Sequence, residues 1–145
     1  MNNKYFTIIT FYQFKIIKDK KDIITKLKDF CKFNKIKGTI LIADEGINGT
    51  IAGLEKNINS FIPFLENFSF EKLNLKRSKY KYMPFQKLKI RNKNEIVTLR
   101  TKFSDPTKIS GKKIKYSEWN KLIKNKETIV IDVRNEFEVK IGSFE

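Results

Sequence analysis

GTILIADEGINGTIAG, Gly38 to Gly53, decides how the chain is read. Two apolar runs, Thr39 to Ala43 and Thr50 to Ala52, have the short, β-branched character of strands. Between them, Asp44-Glu45-Gly46-Ile47-Asn48-Gly49 supplies a polar, glycine-rich reversal. The Asn48-Gly49 pair suits positive φ, which other residues reach only at a cost. A central β-β connection is therefore predicted here, and the plainest role for the loop is chain reversal.

The flanking segments extend this unit. Tyr5 to Phe14, aromatic and β-branched without a breaker, predicts a central strand. Asp19 to Asn34 predicts a helix whose apolar stripe is Ile23, Ile24, Leu27, Phe30 and Cys31, with most of its lysines off that stripe. Leu54 to Leu65 returns to helical spacing through Leu54, Ile58, Phe61, Ile62 and Leu65. Pro63 predicts a kink or an early end there, because interior proline costs about 3 kcal/mol. Phe70 to Lys76 is the predicted fourth strand. The order β-α-β-β-α-β is the ferredoxin-like arrangement, an α+β fold.

Composition bounds the function. The chain has 145 residues, 40% hydrophobic and 32% charged, enough for one domain or for one small domain plus part of another. No apolar run is long enough to span a bilayer, and the opening residues Met1 to Phe6 lack a signal-peptide cleavage region. Cys31 is the single cysteine. It has no disulfide partner within the chain, which fits a reducing, cytoplasmic setting. Its place on the helix stripe predicts a buried structural thiol. Histidine is absent, so neither His-based acid-base catalysis nor a His metal site is available. Glycine-rich nucleotide fingerprints are also missing. No catalytic residue, metal ligand set or bound cofactor is assigned.

Net charge is the strongest compositional signal, +15 with a pI near 9.8. It points to a polyanionic partner. Part of it has a plainer origin, since Lys, Ile and Asn are the residues an AT-rich genome encodes. Lys72 to Lys93 adds pattern to charge: cations alternate with Tyr80, Tyr82 and Phe85, suiting phosphates and unpaired bases respectively. The residues assigned to RNA binding are Lys76, Arg77, Lys79, Tyr80, Lys81, Tyr82, Lys89 and Arg91. The competing reading is a basic edge strand protected from aggregation. FQKLKIR and EIVTLR around Asn92 to Asn94 predict a further hairpin.

Three regions result. Residues 1–100 form the ferredoxin-like domain with its basic C-terminal hairpin, and 101–115, with Pro106 and Gly111, form a linker. In 116–145 the pattern restarts. Ser117 is placed to cap a helix, Glu118 to Lys124, burying Trp119, Leu122 and Ile123. Thr128 to Ile131 lacks polar alternation, as in a strand covered on both faces. Asn135 and Glu138 have capping-box spacing for another helix.

GTILIADEGINGTIAG, KLKIRNKNEIVTLR, YSEWNKLI and VIDVRNEFEVKIGSFE, in that order, resemble the rhodanese-domain tRNA uridine hydroxylases over nearly the whole chain. The resemblance implies an N-terminal ferredoxin-like domain followed by an α/β rhodanese domain, of which residues 116–145 supply the first helix and strand. It implies oxygen-dependent formation of 5-hydroxyuridine at the wobble position of tRNA, with molecular oxygen as co-substrate and tRNA as partner. It implies that Glu45, Gly46, Asn48 and Gly49 form a family-motif loop, packed near the rhodanese site or touching RNA. It also implies that Asp132 and Arg134 support the rhodanese site; read locally, they form a salt bridge that anchors a loop. A rhodanese acts through a cysteine in a loop of backbone amides. That loop lies beyond the equivalent of Glu145, so these residues alone are expected to be inactive. Two alternatives stay open, a non-catalytic ferredoxin-like RNA-binding module and a rhodanese-type sulfurtransferase. Acylphosphatase chemistry is set aside, because that family's phosphate-binding arginine has no counterpart before Arg77 and Phe14 to Lys21 is not glycine-rich.

Overall fold

The structure, a computed structural model, describes residues 5–96 and 111–143. The chain divides into two compact units, Met1–Ser110 and Gly111–Glu145. The first contains β1 (Phe6–Phe14), α1 (Lys20–Phe33), β2 (Lys37–Ala43), β3 (Gly46–Leu54), α2 (Glu55–Glu66), β4 (Asn74–Tyr80) and β5 (Leu88–Asn92). The second contains α3 (Tyr116–Ile123) and α4 (Glu136–Ile141).

The strands form one sheet in the order β4-β1-β3-β2-β5. Its first four strands are antiparallel neighbours in ferredoxin-like order, and β5 lies parallel to β2 at the edge. Side chains alternate between the two faces. Ile9, Phe11, Ile40, Ile42, Ile47 and Ile51, all fully buried, share a core with Leu27 and Cys31 of α1 and Ile58, Phe61 and Leu65 of α2. Both helices therefore pack on one face. The Asp19 carboxylate caps α1 by accepting from the Asp22 N–H at 3.1 Å, which satisfies one of the free N-terminal donors.

The central hairpin is tighter than its sequence suggests. Ala43 pairs with Gly46, so Asp44-Glu45 is the whole loop and Asn48-Gly49 lies inside β3. Positive φ occurs at Gly38 (134°) and Gly46 (150°) instead. A Cβ on Gly38 would lie 2.2 Å from the Thr50 carbonyl oxygen, and one on Gly46 2.2 Å from that of Gln13. Gly49 is required for another reason: its Cβ would stand 2.7 Å from the Phe11 ring.

Other expectations are corrected. Helix α2 runs through Pro63 to Glu66. The proline sits one turn from the C-terminus on an exposed side, where only the bond to the Asn59 carbonyl is lost. The fourth strand is Asn74–Tyr80, not Phe70–Lys76. Phe70 is drawn into the core with 1% exposure, and the charged segment after it pairs with β1 along an edge. The predicted hairpin after Asn92 is not formed by its described part: β5 pairs with β2, and Glu95 and Ile96 are not in a strand. The rest of its second arm, Val97–Arg100, lies outside the described residues, as does most of the predicted linker. In the second unit the cap of α3 is Lys115, not Ser117; the Glu118 carboxylate accepts from the Lys115 N–H at 3.3 Å. Thr128 to Ile131 forms no strand. Ile129 is 85% and Ile131 77% exposed, because no neighbouring strand among the described residues pairs with them. At α4, Glu138 accepts from the Asn135 N–H at 3.1 Å and its side-chain amide at 3.0 Å.

Replacing Gly49 with Ala is expected to cost about 1–3 kcal/mol through overpacking against Phe11. Gly46→Ala should cost more, because rigid backbone is struck at an unfavourable φ. Gly111→Ala, with nothing within 4 Å of its Cβ, should stay within about 0.5 kcal/mol. Urea unfolding monitored by circular dichroism checks the ranking; equal midpoints for Gly46→Ala and Gly111→Ala would contradict it.

Candidate nucleic-acid interface

The face opposite the helices follows from pairing register. Across β4, β1, β3, β2 and β5 one row reads Lys76, Thr10, Thr50, Thr39, Lys89. The next reads Asn74, Tyr12, Asn48, Leu41, Arg91. The Thr10 and Thr50 hydroxyls are hydrogen-bonded to each other at 3.1 Å. Four strand spacings separate Lys76 from Lys89, about 19 Å. Among the described residues no strand position on this face is acidic; Asp22, Asp29, Glu55 and Glu66 belong to the helices on the other side.

The eight residues assigned from sequence do not form one patch. Lys76 and Tyr80 point to the open face at the β4 edge, and Lys89 and Arg91 point to it at the β5 edge. Arg77 and Lys79 point the other way, towards α2. Arg77 Nη2 donates to Asn59 Oδ1 at 2.9 Å, and Lys79 Nζ pairs with Glu55 at 3.1 Å. Lys81 and Tyr82 lie beyond the strand, with Lys81 Nζ 5.5 Å from the Tyr82 ring centre and the Tyr80 and Tyr82 rings edge to face. Sequence reasoning missed Thr10, Thr39, Thr50 and Tyr12. The signal available for β1 was its alternation, with Ile9 and Phe11 on one face and Thr10 and Tyr12 on the other.

The family-motif loop is engaged within its own unit. The Glu45 and Asp44 carbonyls accept from the Lys15 and Ile17 N–H groups, each at 2.9 Å. The Asp44 carboxylate pairs with Lys20 at 2.7 Å, and that of Glu45 accepts from the Ile96 N–H at 2.7 Å. Gly46 and Gly49 serve close backbone and ring approaches. Asn48 alone of the four motif residues directs its side chain to the open face. In the second unit, Arg134 donates to both Asp132 carboxylate oxygens and, through Nη2, to the Gly142 carbonyl at 2.9 Å. This tethers the loop to the end of α4. The guanidinium holds the Asp132 carboxyl below its ordinary range.

Residues 6–96 match the family described as UPF0176 acylphosphatase like domain. The chain belongs to this family. Two relatives are named tRNA uridine(34) hydroxylase. One, from Prochlorococcus marinus (strain NATL1A), is 43% identical over 96% of this chain and 44% of its own length. The other, from Nitrobacter winogradskyi, is 43% identical over 95% of this chain and 56% of its own length. The chain thus spans about half the length of these curated relatives. Among solved structures, Klebsiella pneumoniae BlrP1 with FMN and cyclic diGMP superposes with a TM-score of 0.48 at 14% identity, covering 61% of this chain and 25% of that one.

Within this UPF0176 domain the loop after β1 is bonded to its own neighbours. Its Lys15 and Ile17 amides are spent on the central turn, and Lys15 Nζ donates to the Phe68 and Ser69 carbonyls at 3.3 and 2.8 Å. Cys31 is fully buried. Burial pushes its thiol from 9.0 up to about 12, the reverse of an activated nucleophile.

At pH 8 the thiolate fraction of folded Cys31 should be lower than that of a free thiol by about a thousandfold. Iodoacetamide labelling should be negligible in the native protein and rapid in urea. The sign for stability follows from the raised folded value: the thiol's contribution is complete below pH 9.0 and is lost as pH rises towards 12. Urea unfolding of wild type and Cys31→Ala across pH 8 to 11 checks it. The wild type should lose more stability over that range; rapid native labelling would contradict the buried assignment.

Proposed function

We propose that the chain is the N-terminal part of an oxygen-dependent tRNA wobble-uridine hydroxylase, and that its first unit supplies tRNA binding. The observation that carries this is the shared name of two relatives, each 43% identical over at least 95% of the chain. Charge supports it: a sheet face with no acid among its described residues, bounded by Lys76 on one side and Lys89 and Arg91 on the other, suits a phosphate backbone. Arg77 and Lys79, occupied by α2, contribute less.

Residues 101–115 act as a linker and 116–145 as the opening helix and strand of a rhodanese domain. The exposed apolar run Ile129 to Ile131 supports this, because such a run needs neighbouring strands. The Asp132–Arg134 pair shapes the loop after that run. Cys31 cannot act as the rhodanese thiol from inside the core, so that thiol belongs to another part of the whole enzyme. Molecular oxygen is the co-substrate and the cytoplasm the setting, where tRNA is modified. Among the described residues no helix is long and apolar enough to cross a membrane.

Deleting the gene should remove 5-hydroxyuridine from tRNA digests analysed by mass spectrometry. Purified chain should bind tRNA, with each neutralised phosphate steepening the log-affinity against log-salt slope by about 0.7 to 0.9. Binding with unchanged 5-hydroxyuridine after deletion would favour the non-catalytic module; no binding and no change would end both readings.

A further inference from the structure

The chain crosses from β4 to β5, and on the way builds a concavity at the β5 edge of the open face. Its walls are Thr39, Pro84, Phe85, Gln86, Lys87 and Lys89. The Gly38 N–H donates to the Lys87 carbonyl at 3.2 Å, fastening this crossover segment to β2. The concavity lies at the end of the threonine row, because Thr39 and Lys89 belong to both.

We propose that the open sheet face binds single-stranded RNA and seats one unpaired base in this pocket. The inference rests on the RNA-binding reading above and names the part of the RNA that is recognised. An aromatic ring, a side-chain amide and two ammonium groups in one cavity meet the three needs of a nucleotide: stacking, hydrogen bonds to the base edge and charge on the phosphate. Cations stand at both edges of the sheet, with Lys76 opposite Lys89 and Arg91. The middle holds neutral donors and acceptors, Thr10, Thr50 and Asn48, beside the Tyr12 ring. A strand crossing the sheet keeps its phosphates at the basic edges and lays about two or three bases over the centre. A duplex hides its stacking faces and Watson–Crick edges, so Phe85, Gln86 and Asn48 would have nothing to read. Acidic peptides meet the cations equally well but leave the aromatic and amide groups without a role.

The test measures affinity of the full chain for a fluorescein-labelled single-stranded RNA of about 12 nucleotides and for a blunt duplex of the same length. Wild type should favour the single strand at least tenfold. Phe85→Leu should weaken single-strand binding by about five- to a hundredfold with little change in salt slope. The triple variant Lys76→Ala, Lys89→Ala, Arg91→Ala should flatten that slope by about two units. The charge-matched control Lys21→Ala, Lys28→Ala, Lys32→Ala, on exposed positions of α1, should change far less. If Phe85→Leu unfolds the chain, Lys89→Glu, an exposed substitution, carries the comparison and should also weaken single-strand binding. Equal losses from the two triple variants, unchanged binding in Phe85→Leu and Lys89→Glu, or preference for the duplex would each overturn the inference. Tight tRNA binding that none of the open-face variants weakens would overturn it while leaving the RNA reading intact. A wild type that binds no RNA ends both.

Discussion

The first unit depends on how closely three backbones approach one another at the β2–β3 hairpin. Gly38 touches the backbone of β3, Gly46 touches β1, and Gly49 lies against the Phe11 ring. A side chain at any of these points would separate strands at the centre of the sheet. Interior strands pair on both sides, so β1, β2 and β3 cannot shift singly. The two-residue loop Asp44-Glu45 then serves as a fastening. Its carbonyls hold the segment between β1 and α1, and its carboxylates hold Lys20 and the chain leaving β5.

That centre also arranges charge. Both helices pack on one face and carry acidic residues among their lysines. The strand positions of the other face, among the described residues, hold no acid, and their cations stand mostly at the margins. Net charge alone would suggest a uniformly sticky protein. The strand order instead makes a surface with basic edges, a neutral hydroxyl-rich middle and a pocket at one end. Ion pairs on the helix side, such as Lys79 with Glu55, are solvent-exposed and add little stability. With the Arg77–Asn59 hydrogen bond, this pair keeps Arg77 and Lys79 on the helix side.

Much of the fold was legible. The helices followed from the Ile23–Leu27–Cys31 and Ile58–Phe61–Leu65 spacings, and β1 and β2 from their apolar runs, because burial imposes those periods directly. Fourth-strand placement failed because Phe70 is apolar for the core while the true strand carries Lys76, Arg77 and Lys79. An edge strand paired on one side tolerates charges that an interior one does not. Asn48-Gly49 had turn chemistry, but packing against Phe11 was the real demand, and contact between distant residues leaves no local signature. The candidate site was legible only in part. Lys76 and Lys89 are close in sequence yet lie at opposite margins of the sheet. Only strand order, a long-range property, reveals that they share a face. It also reveals that Arg77, next to Lys76, faces away.

The position of β5 has a consequence for the growing chain. The four strands β1 to β4 can close into a sheet once Tyr80 has emerged from the ribosome, since every pairing among them lies within residues 6–80. Until Leu88 to Asn92 follow, β2 is the outermost strand on its side, with open backbone groups beside Ile40 and Ile42. Lys37 is its only charged residue. The nascent protein therefore passes through a stage at which an apolar strand lies unpaired at a border, and translation of about a dozen more codons ends it. At cellular elongation rates of roughly 5–20 residues per second that interval lasts on the order of a second.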